Sequence, residues 1–327
     1  MCRPTYYTVA YEINPWMSLK RRPLPARARA QWVQLYQLLT RTLGARVRLL
    51  PPRRGLPDLV FTANAGLVVP RLASLARDDP EQGLAGQRGG SHRGIVGRTF
   101  IRSAFRHPER QGEEPVIEAY VRRLGYRVIP VPDRYRFEGE GDALWMGDTL
   151  LYGFRFRSDA PAHAWLARVL GARVLPVELI DRRFYHLDTC FAPLDGRTAL
   201  WFPRAFDRYG RQVIEGLVRH PISVSEADAR RLACNAIVVG RTVVVQAGCS
   251  ATLRRQLARR GFRVKEVELS EFLKAGGAAK CLVLQLGGRL AREEHPFTTQ
   301  AIQQAMDDRQ HKRYVTLRDY LRGKRSA

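Results

Sequence analysis

Four segments put chemistry-bearing side chains beside a glycine turn or at the mouth of an apolar strand: "PDLVFTANAG" (57–66), "FEGEGDAL" (137–144), "FYHLDTC" (184–190) and "GGAAKC" (276–281). They supply one amide (Asn64), two carboxylates (Glu138 and Asp188), one imidazole (His186) and one thiol (Cys281). A thiolate is an intrinsically strong nucleophile, and an imidazole can shuttle protons for it. Carboxylates can orient that imidazole or hold a cationic substrate by charge-assisted hydrogen bonds. Brought together, this set fits covalent catalysis by a cysteine nucleophile.

Residues so far apart in sequence meet only if the fold returns them to one place. An internal repeat provides the means. Four times a helix-like stretch runs into a glycine and then a short strand, at 35–52, 116–132, 165–179 and 253–269. Gly44, Gly125, Gly171 and Gly261 stand where a left-handed residue would end each helix. A weaker fifth copy, "QVIEGLVRHPISVS" (212–225), lacks the glycine. Between the helices, Gly147-Asp148, Asp195-Gly196 and Gly240-Arg241 interrupt apolar-rich runs and predict hairpins. A strand–helix unit cannot bury its apolar face alone, so five copies predict one α/β domain closed as a five-bladed propeller, with the loops of one end converging on a shared cavity. No GxGxxG phosphate loop follows the first strand, which disfavours a doubly wound sheet.

Composition narrows the function classes. The 327 residues are 45% apolar, ample for a sizeable core. No basic segment leads into an apolar stretch at the N-terminus, and no run is long enough to cross a bilayer, which predicts a cytoplasmic protein without a membrane partner. The five cysteines, Cys2, Cys190, Cys234, Cys249 and Cys281, are dispersed and lack CxxC spacing. That predicts reduced thiols and no structural metal. The net charge of +24 invites a nucleic-acid reading, yet only six of the 55 basic residues are lysine and the arginines run through the whole chain. Dispersed charge does not make a phosphate-binding face, so no nucleic-acid partner is expected.

The motifs "YEINPWM", "PDLVFTANAG", "RHPERQGEEP", "FEGEGDAL", "FYHLDTCF", "LACNAI" and "EFLKAGGAAKC" occur in an order that resembles the guanidine-modifying (pentein, or amidinotransferase) superfamily. Within it, the chain is similar to the arginine dihydrolase domain of cyanobacterial enzymes and is related to arginine deiminase and dimethylarginine dimethylaminohydrolase. The likeness covers about residues 1 to 286 apart from an insertion at 77–98. It implies a five-bladed α/β propeller (pentein fold) over 1–287, followed by a helical, basic tail at 288–327. It also implies a Cys281–His186–Glu138 hydrolase acting on arginine or a derivative. Asp188 would help hold the guanidinium, while Arg110, Arg157 and Asn14 would receive the substrate's α-carboxylate.

Two departures stand out against that resemblance. Deiminases and dimethylarginine hydrolases carry an aspartate in an "FTRD"-like motif that here reads "FTAN". A neutral amide can also bond the uncharged ureido group of citrulline, so Asn64 implies two hydrolyses, from arginine to ornithine, ammonia and carbon dioxide. Glu140 occupies a position usually small in its motif; facing the site it would raise the pKa of Glu138, and facing solvent it would do nothing. The cyanobacterial relatives continue into a cofactor-binding domain, whereas 46 residues follow Cys281 here. The expectation is therefore no cofactor, no nicotinamide and no ornithine cyclisation. The tail has helical spacing suited to packing on the domain or on a second subunit of a homo-oligomer.

Overall fold

The computed structural model describes residues 1–69 and 98–287. Its recurring unit is a hairpin, a helix and a third strand that returns parallel to the second. Strands β1 (Gly66–Val69) and β2 (Arg98–Arg102) pair antiparallel, and β3 (Tyr126–Pro130) joins β2 in parallel. Helices α2 (Pro108–Gln111) and α3 (Glu113–Arg123) fill the crossover, after α1 (Pro25–Gln37) has opened the chain. The same order recurs for β4 (Ala143–Met146), β5 (Thr149–Phe154), α4 (Ala162–Leu170) and β6 (Arg173–Glu178). It recurs again for β7 (Phe191–Pro193), β8 (Thr198–Trp201), α5 (Arg208–Leu217) and β9 (His220–Ser223). Beyond α6 (Glu226–Ala229), a fourth sheet holds β10 (Ile237–Val239), β11 (Thr242–Gln246) and β12 (Arg263–Val267), with α7 (Ala251–Arg259) in the crossover and α8 (Ser270–Leu273) after it.

The sequence explains each part of that unit. In every sheet the middle strand comes from the second arm of the hairpin, and "TLLYGF", "TALW" and "TVVVQ" are near-continuous apolar runs because both faces are covered. Helix α4 buries Ala162, Trp165, Leu166 and Leu170, one stripe at helical spacing; each fully buried leucine contributes about 1.5–3 kcal/mol relative to exposure. Asp207 and Ser250 cap α5 and α7 by accepting backbone N–H bonds from Gly210 and Leu253. The four repeat glycines all have positive φ, 68°, 83°, 57° and 76° for Gly44, Gly125, Gly171 and Gly261, the backbone that lets the chain turn out of a helix into a strand.

Among the described residues there are four sheets rather than the expected five. The weak copy at 212–225 forms a complete one, since Val218 ends α5 in extended backbone without needing a glycine. The strong copy at 35–52 forms α1 and its positive-φ Gly44, but its strand makes a single parallel bridge between Leu50 and Cys2. Two further bonds extend that contact, from the Met1 ammonium to the Arg48 carbonyl and from the Leu50 N–H to the Met1 carbonyl. Pro4 follows in the partner segment, and with no N–H it cannot donate to a ladder. The 77–98 insertion, up to Arg98 at the start of β2, and the 288–327 tail lie outside the described residues.

Candidate active site

The candidate residues occupy equivalent places in successive units, on a short turn just ahead of a first strand. Asn64 sits in the 3-10 turn Thr62–Ala65 before β1, and Glu138 heads the turn Gly139–Gly141 before β4. His186 heads, and Asp188 lies within, the turn Leu187–Thr189 before β7. Cys281 is in the turn Lys280–Leu282, ahead of the extended segment that follows it. Gly141 shows why small residues recur here: a Cβ on it would lie 2.3 Å from Asn64 Nδ2 and 3.2 Å from the His186 ring, so any side chain would push the turns apart.

Two linked groups form the site. In the first, Glu138 Oε2 accepts from His186 Nε2 at 2.7 Å and from Arg157 Nη1 at 3.2 Å, while Oε1 accepts the Arg106 N–H at 3.2 Å. Burial alone would raise the Glu138 pKa, but Arg157, the His186 bond and Arg110 outweigh it and hold the carboxylate below its ordinary range. Burial pulls His186 down to about 4, against the opposing pull of Glu138, so the imidazole is neutral near pH 7. With Nε2 donating to Glu138, Nδ1 carries the lone pair, and it has no partner.

The second group surrounds the thiol. Cys281 Sγ lies 3.4 Å from Asp188 Oδ2 and 3.1 Å from Asn235 Nδ2. Burial first, then the Asp188 charge, raise the thiol well above its ordinary pKa. Burial also pushes Asp188 up to about 7, opposed by the charge of Lys280, and Asp188 Oδ1 has no partner.

A small cavity opens beside these groups, and Asn14, Asn64, Arg110, Arg157 and Cys281 are among its lining residues. Glu138, His186 and Asp188 do not line it themselves; they join it through Arg157 and Cys281. Arg110 and Arg157 are 3% and 2% exposed, so neither is a solvated surface charge. Arg110 grips Glu113 with two bonds of 2.8 Å and donates Nη1 to Asn64 Oδ1 at 3.0 Å. Because a guanidinium only donates, that bond fixes the amide: its oxygen faces Arg110, and Nδ2 is the unpartnered atom. Asn14 donates to the Ala275 carbonyl at 3.1 Å, tying the N-terminal loop to the segment ahead of Cys281.

Neither outcome foreseen for Glu140 holds. It is buried and accepts from Lys280 Nζ at 2.6 Å and from the Gln285 N–H at 3.1 Å, so it is a structural ion pair joining the Glu138 turn to the Cys281 turn. Three residues of the site escaped the sequence reading. Asn235 lies in "LACNAI" at the equivalent place before β10, and comparing the repeats position by position would have flagged it. Asp58 lines the cavity with a buried, unpartnered Oδ1. Tyr185 stacks its ring 4.6 Å from the Arg157 guanidinium carbon and gives its hydroxyl proton to the Gly276 carbonyl at 3.0 Å.

A buried thiol, a carboxylate-bound imidazole and an arginine-lined cavity are the parts that covalent hydrolysis by a cysteine nucleophile would use. No family model matches the chain. It is 41% identical over 302 residues, 90% of its length, to the bifunctional arginine dihydrolase/ornithine cyclodeaminase ArgZ of Synechocystis sp., of which it spans 38%. Over 286 residues it is 38% identical to the N(G),N(G)-dimethylarginine dimethylaminohydrolase of Mycobacterium tuberculosis, covering 88% of this chain and 84% of that one. The crystal structure of the N-terminal domain of ArgZ bound to substrate, from cyanobacteria, superposes with a TM-score of 0.76 at 41% identity, over 88% of this chain and 96% of that domain. The chain belongs to the guanidino-group hydrolases of the pentein superfamily, alongside the arginine dihydrolase domains and dimethylarginine dimethylaminohydrolases.

Proposed function

We propose that this enzyme removes the guanidino group of arginine in two hydrolyses, giving ornithine, two ammonia and carbon dioxide. The observation that carries this reading is Asn64: its oxygen is held by Arg110 and its Nδ2 has no partner, so it offers the site a neutral N–H donor. With the amide oxygen held by Arg110, the N–H is what remains for substrate, and the ureido oxygen of citrulline is its match. Citrulline retained in this way would be attacked a second time.

The remaining groups suggest the steps. The substrate guanidinium would meet Asp188 through its unpartnered Oδ1, and its positive charge would offset the field that keeps the Cys281 thiol protonated. The thiol proton passes to His186 Nδ1, and the resulting imidazolium is held by Glu138. The thiolate forms a C–S bond to the guanidinium carbon, and as a C–N bond breaks His186 protonates the departing ammonia. His186 then takes a proton from water as its oxygen adds to the thiouronium carbon; the C–S bond breaks, the thiolate recovers the proton, and citrulline results. Repetition on citrulline releases the second ammonia and leaves a thiocarbamate on Cys281. Its hydrolysis gives a carbamate that loses carbon dioxide to become ornithine. Arg110, Arg157 and Asn14 are assigned to the α-carboxylate, and Asp58 to the α-ammonium.

The similarity to a dimethylarginine dimethylaminohydrolase over 84% of that protein supports a second reading, a single hydrolysis releasing dimethylamine. Incubation with arginine and with dimethylarginine, with citrulline, ornithine, ammonia and dimethylamine measured by mass spectrometry, separates the two. Two ammonia per ornithine supports the dihydrolase; citrulline alone indicates a deiminase, and guanidinoacetate formed from added glycine an amidinotransferase. The architecture proposed with this function is the five-bladed α/β propeller, its fifth blade built from α1, residues 46–50 and the two ends of the domain. Among the described residues no helix is long and apolar enough to cross a membrane, and we place the enzyme in the cytoplasm.

A further inference from the structure

We propose that Asn235 is a catalytic residue of this site, the donor that stabilises the Cys281 thiolate while fixing the nucleophile's backbone. The inference rests on Cys281 being the nucleophile, as proposed above. Asn235 is fully buried, and its side chain makes four bonds, with a fifth at its backbone carbonyl. Oδ1 accepts the N–H groups of Ala278 at 3.1 Å and Cys281 at 3.0 Å, and its backbone carbonyl accepts the Lys280 N–H at 3.1 Å. Two N–H donors on one atom require that atom to be oxygen, so the amide orientation is determined and Nδ2 points the other way. That nitrogen lies 3.1 Å from Cys281 Sγ and 3.1 Å from the Asp188 carbonyl, the two elements that must meet around the reacting carbon.

The Ala278 backbone also favours the thiolate, but the other side chains near the nucleophile do not do this. Asp188 accepts from the thiol and, when ionised, disfavours the thiolate. The Tyr185 hydroxyl is engaged with the Gly276 carbonyl. Lys280 directs its ammonium to Glu140, while Arg157 is bound to Glu138 and Arg110 to Glu113. Among the hydrogen bonds of the described residues, Asn235 Nδ2 is the side-chain donor to Sγ. A thiol proton lost to solvent leaves a charge on sulfur that this fixed N–H stabilises without adding a charge to the site.

The test is the pH dependence of Cys281 alkylation by iodoacetamide, followed on the Cys281 peptide by mass spectrometry, with Asn235→Ser and Asn235→Asp beside the wild type. Asn235→Ser removes the donor without adding charge. Asn235→Asp keeps an oxygen for both backbone N–H groups, so it preserves the clamp if the serine variant fails to fold. Both should label about tenfold more slowly at pH 8, with the profile displaced to higher pH, because a hydrogen bond to a charged group is lost. A folded variant, judged by its thermal melt, that labels with the wild-type profile would overturn the proposal and leave Asn235 a purely structural clamp. The readout needs no turnover, so a shifted profile supports the inference even where arginine proves not to be the substrate. Turnover that survives Cys281→Ser would instead remove the mechanism beneath it.

Discussion

The two linked groups of the site form two walls, of which Arg110, Arg157 and Cys281 reach the cavity, and they are built to opposite electrostatic rules. The wall of Glu138, His186, Arg157 and Arg110 is charged and closely paired, each ion held by a partner within 3.2 Å. Across from it, Cys281, Asp188 and Asn235 form a wall whose only anion keeps a free oxygen and a pKa pushed up to about 7. The paired wall is complete before substrate arrives, whereas the opposite wall lacks one cation. An enzyme for guanidinium compounds gains from that difference, because the substrate supplies the charge that releases the thiol proton.

Removing the nucleophile tests the comparison most severely. Cys281→Ser should lower turnover on the order of 10⁴-fold or more while leaving the melt unchanged, since a hydroxyl replaces a thiolate at nearly the same volume. His186→Ala should abolish the cycle on the other wall. Where the first step survives in that variant, intact-mass measurement should find an adduct on Cys281; an adduct on Cys190, Cys234 or Cys249 would place the nucleophile elsewhere.

The ion pair that joins the walls predicts a stability effect. Lys280 and Glu140 meet at 2.6 Å with each side chain 8% exposed. Lys280→Met leaves a buried carboxylate without its cation and should cost about 3–5 kcal/mol in urea unfolding. Glu140→Gln added to it should recover most of that loss. Equal stability of the two variants would mean the pair contributes nothing beyond packing.

A third measurement separates the walls by pH. Asp188 must be ionised to receive a cation, so kcat/KM for arginine should fall about tenfold per pH unit below about 7, while citrulline, which is neutral there, should show a shallower fall. The stability linkage runs in opposite directions for the two walls. Asp188, raised above its ordinary value, favours the folded state at low pH, and this contribution is lost as pH rises toward 7. His186, lowered to about 4, favours the folded state above 6.5, and its contribution is lost as pH falls through 6.5 to 4. Asp188→Asn should therefore gain stability over the wild type at pH 8 relative to pH 4; a constant difference across that range would show that Asp188 titrates normally.

The charged and nucleophilic groups of both walls were the more legible in the sequence, and the reason is chemical. Glu138, His186 and Cys281 announce themselves because few side chains titrate or attack, and glycine turns beside apolar strands mark where such groups are displayed. Asn235 carries no charge and looks like any turn residue, so only its place in the repeat distinguishes it. For Glu140 the sequence offers only a perturbing charge or a solvent-facing one, because its partner is 140 residues away, a distance only the fold can close. Helix-glycine-strand units were visible for the same reason that they fold, since left-handed glycine and apolar periodicity are local signals. Sheet completion at 35–52 depends on the far N-terminal segment and on Pro4, and no local pattern near α1 reports it.

The smallest expected effect, and the sharpest for the number of hydrolyses, comes from Asn64→Asp. One carboxylate oxygen can still accept from Arg110 Nη1, so the loop should stay in place. The other oxygen replaces the unpartnered Nδ2, turning a donor into an acceptor beside the cavity. Guanidinium binding should tolerate or favour the change, while the ureido oxygen of citrulline loses its donor and meets a negative charge. A difference of about 1.4 kcal/mol between the two ligands changes the partition tenfold, within the cost of leaving one such group unmatched in a buried site. Citrulline should therefore accumulate from arginine in the variant, with ornithine falling about tenfold relative to it, while the initial rate of arginine consumption changes less. A time course of both products with the two proteins measures the ratio, and an unchanged ratio would mean that citrulline is retained by some other group than Asn64.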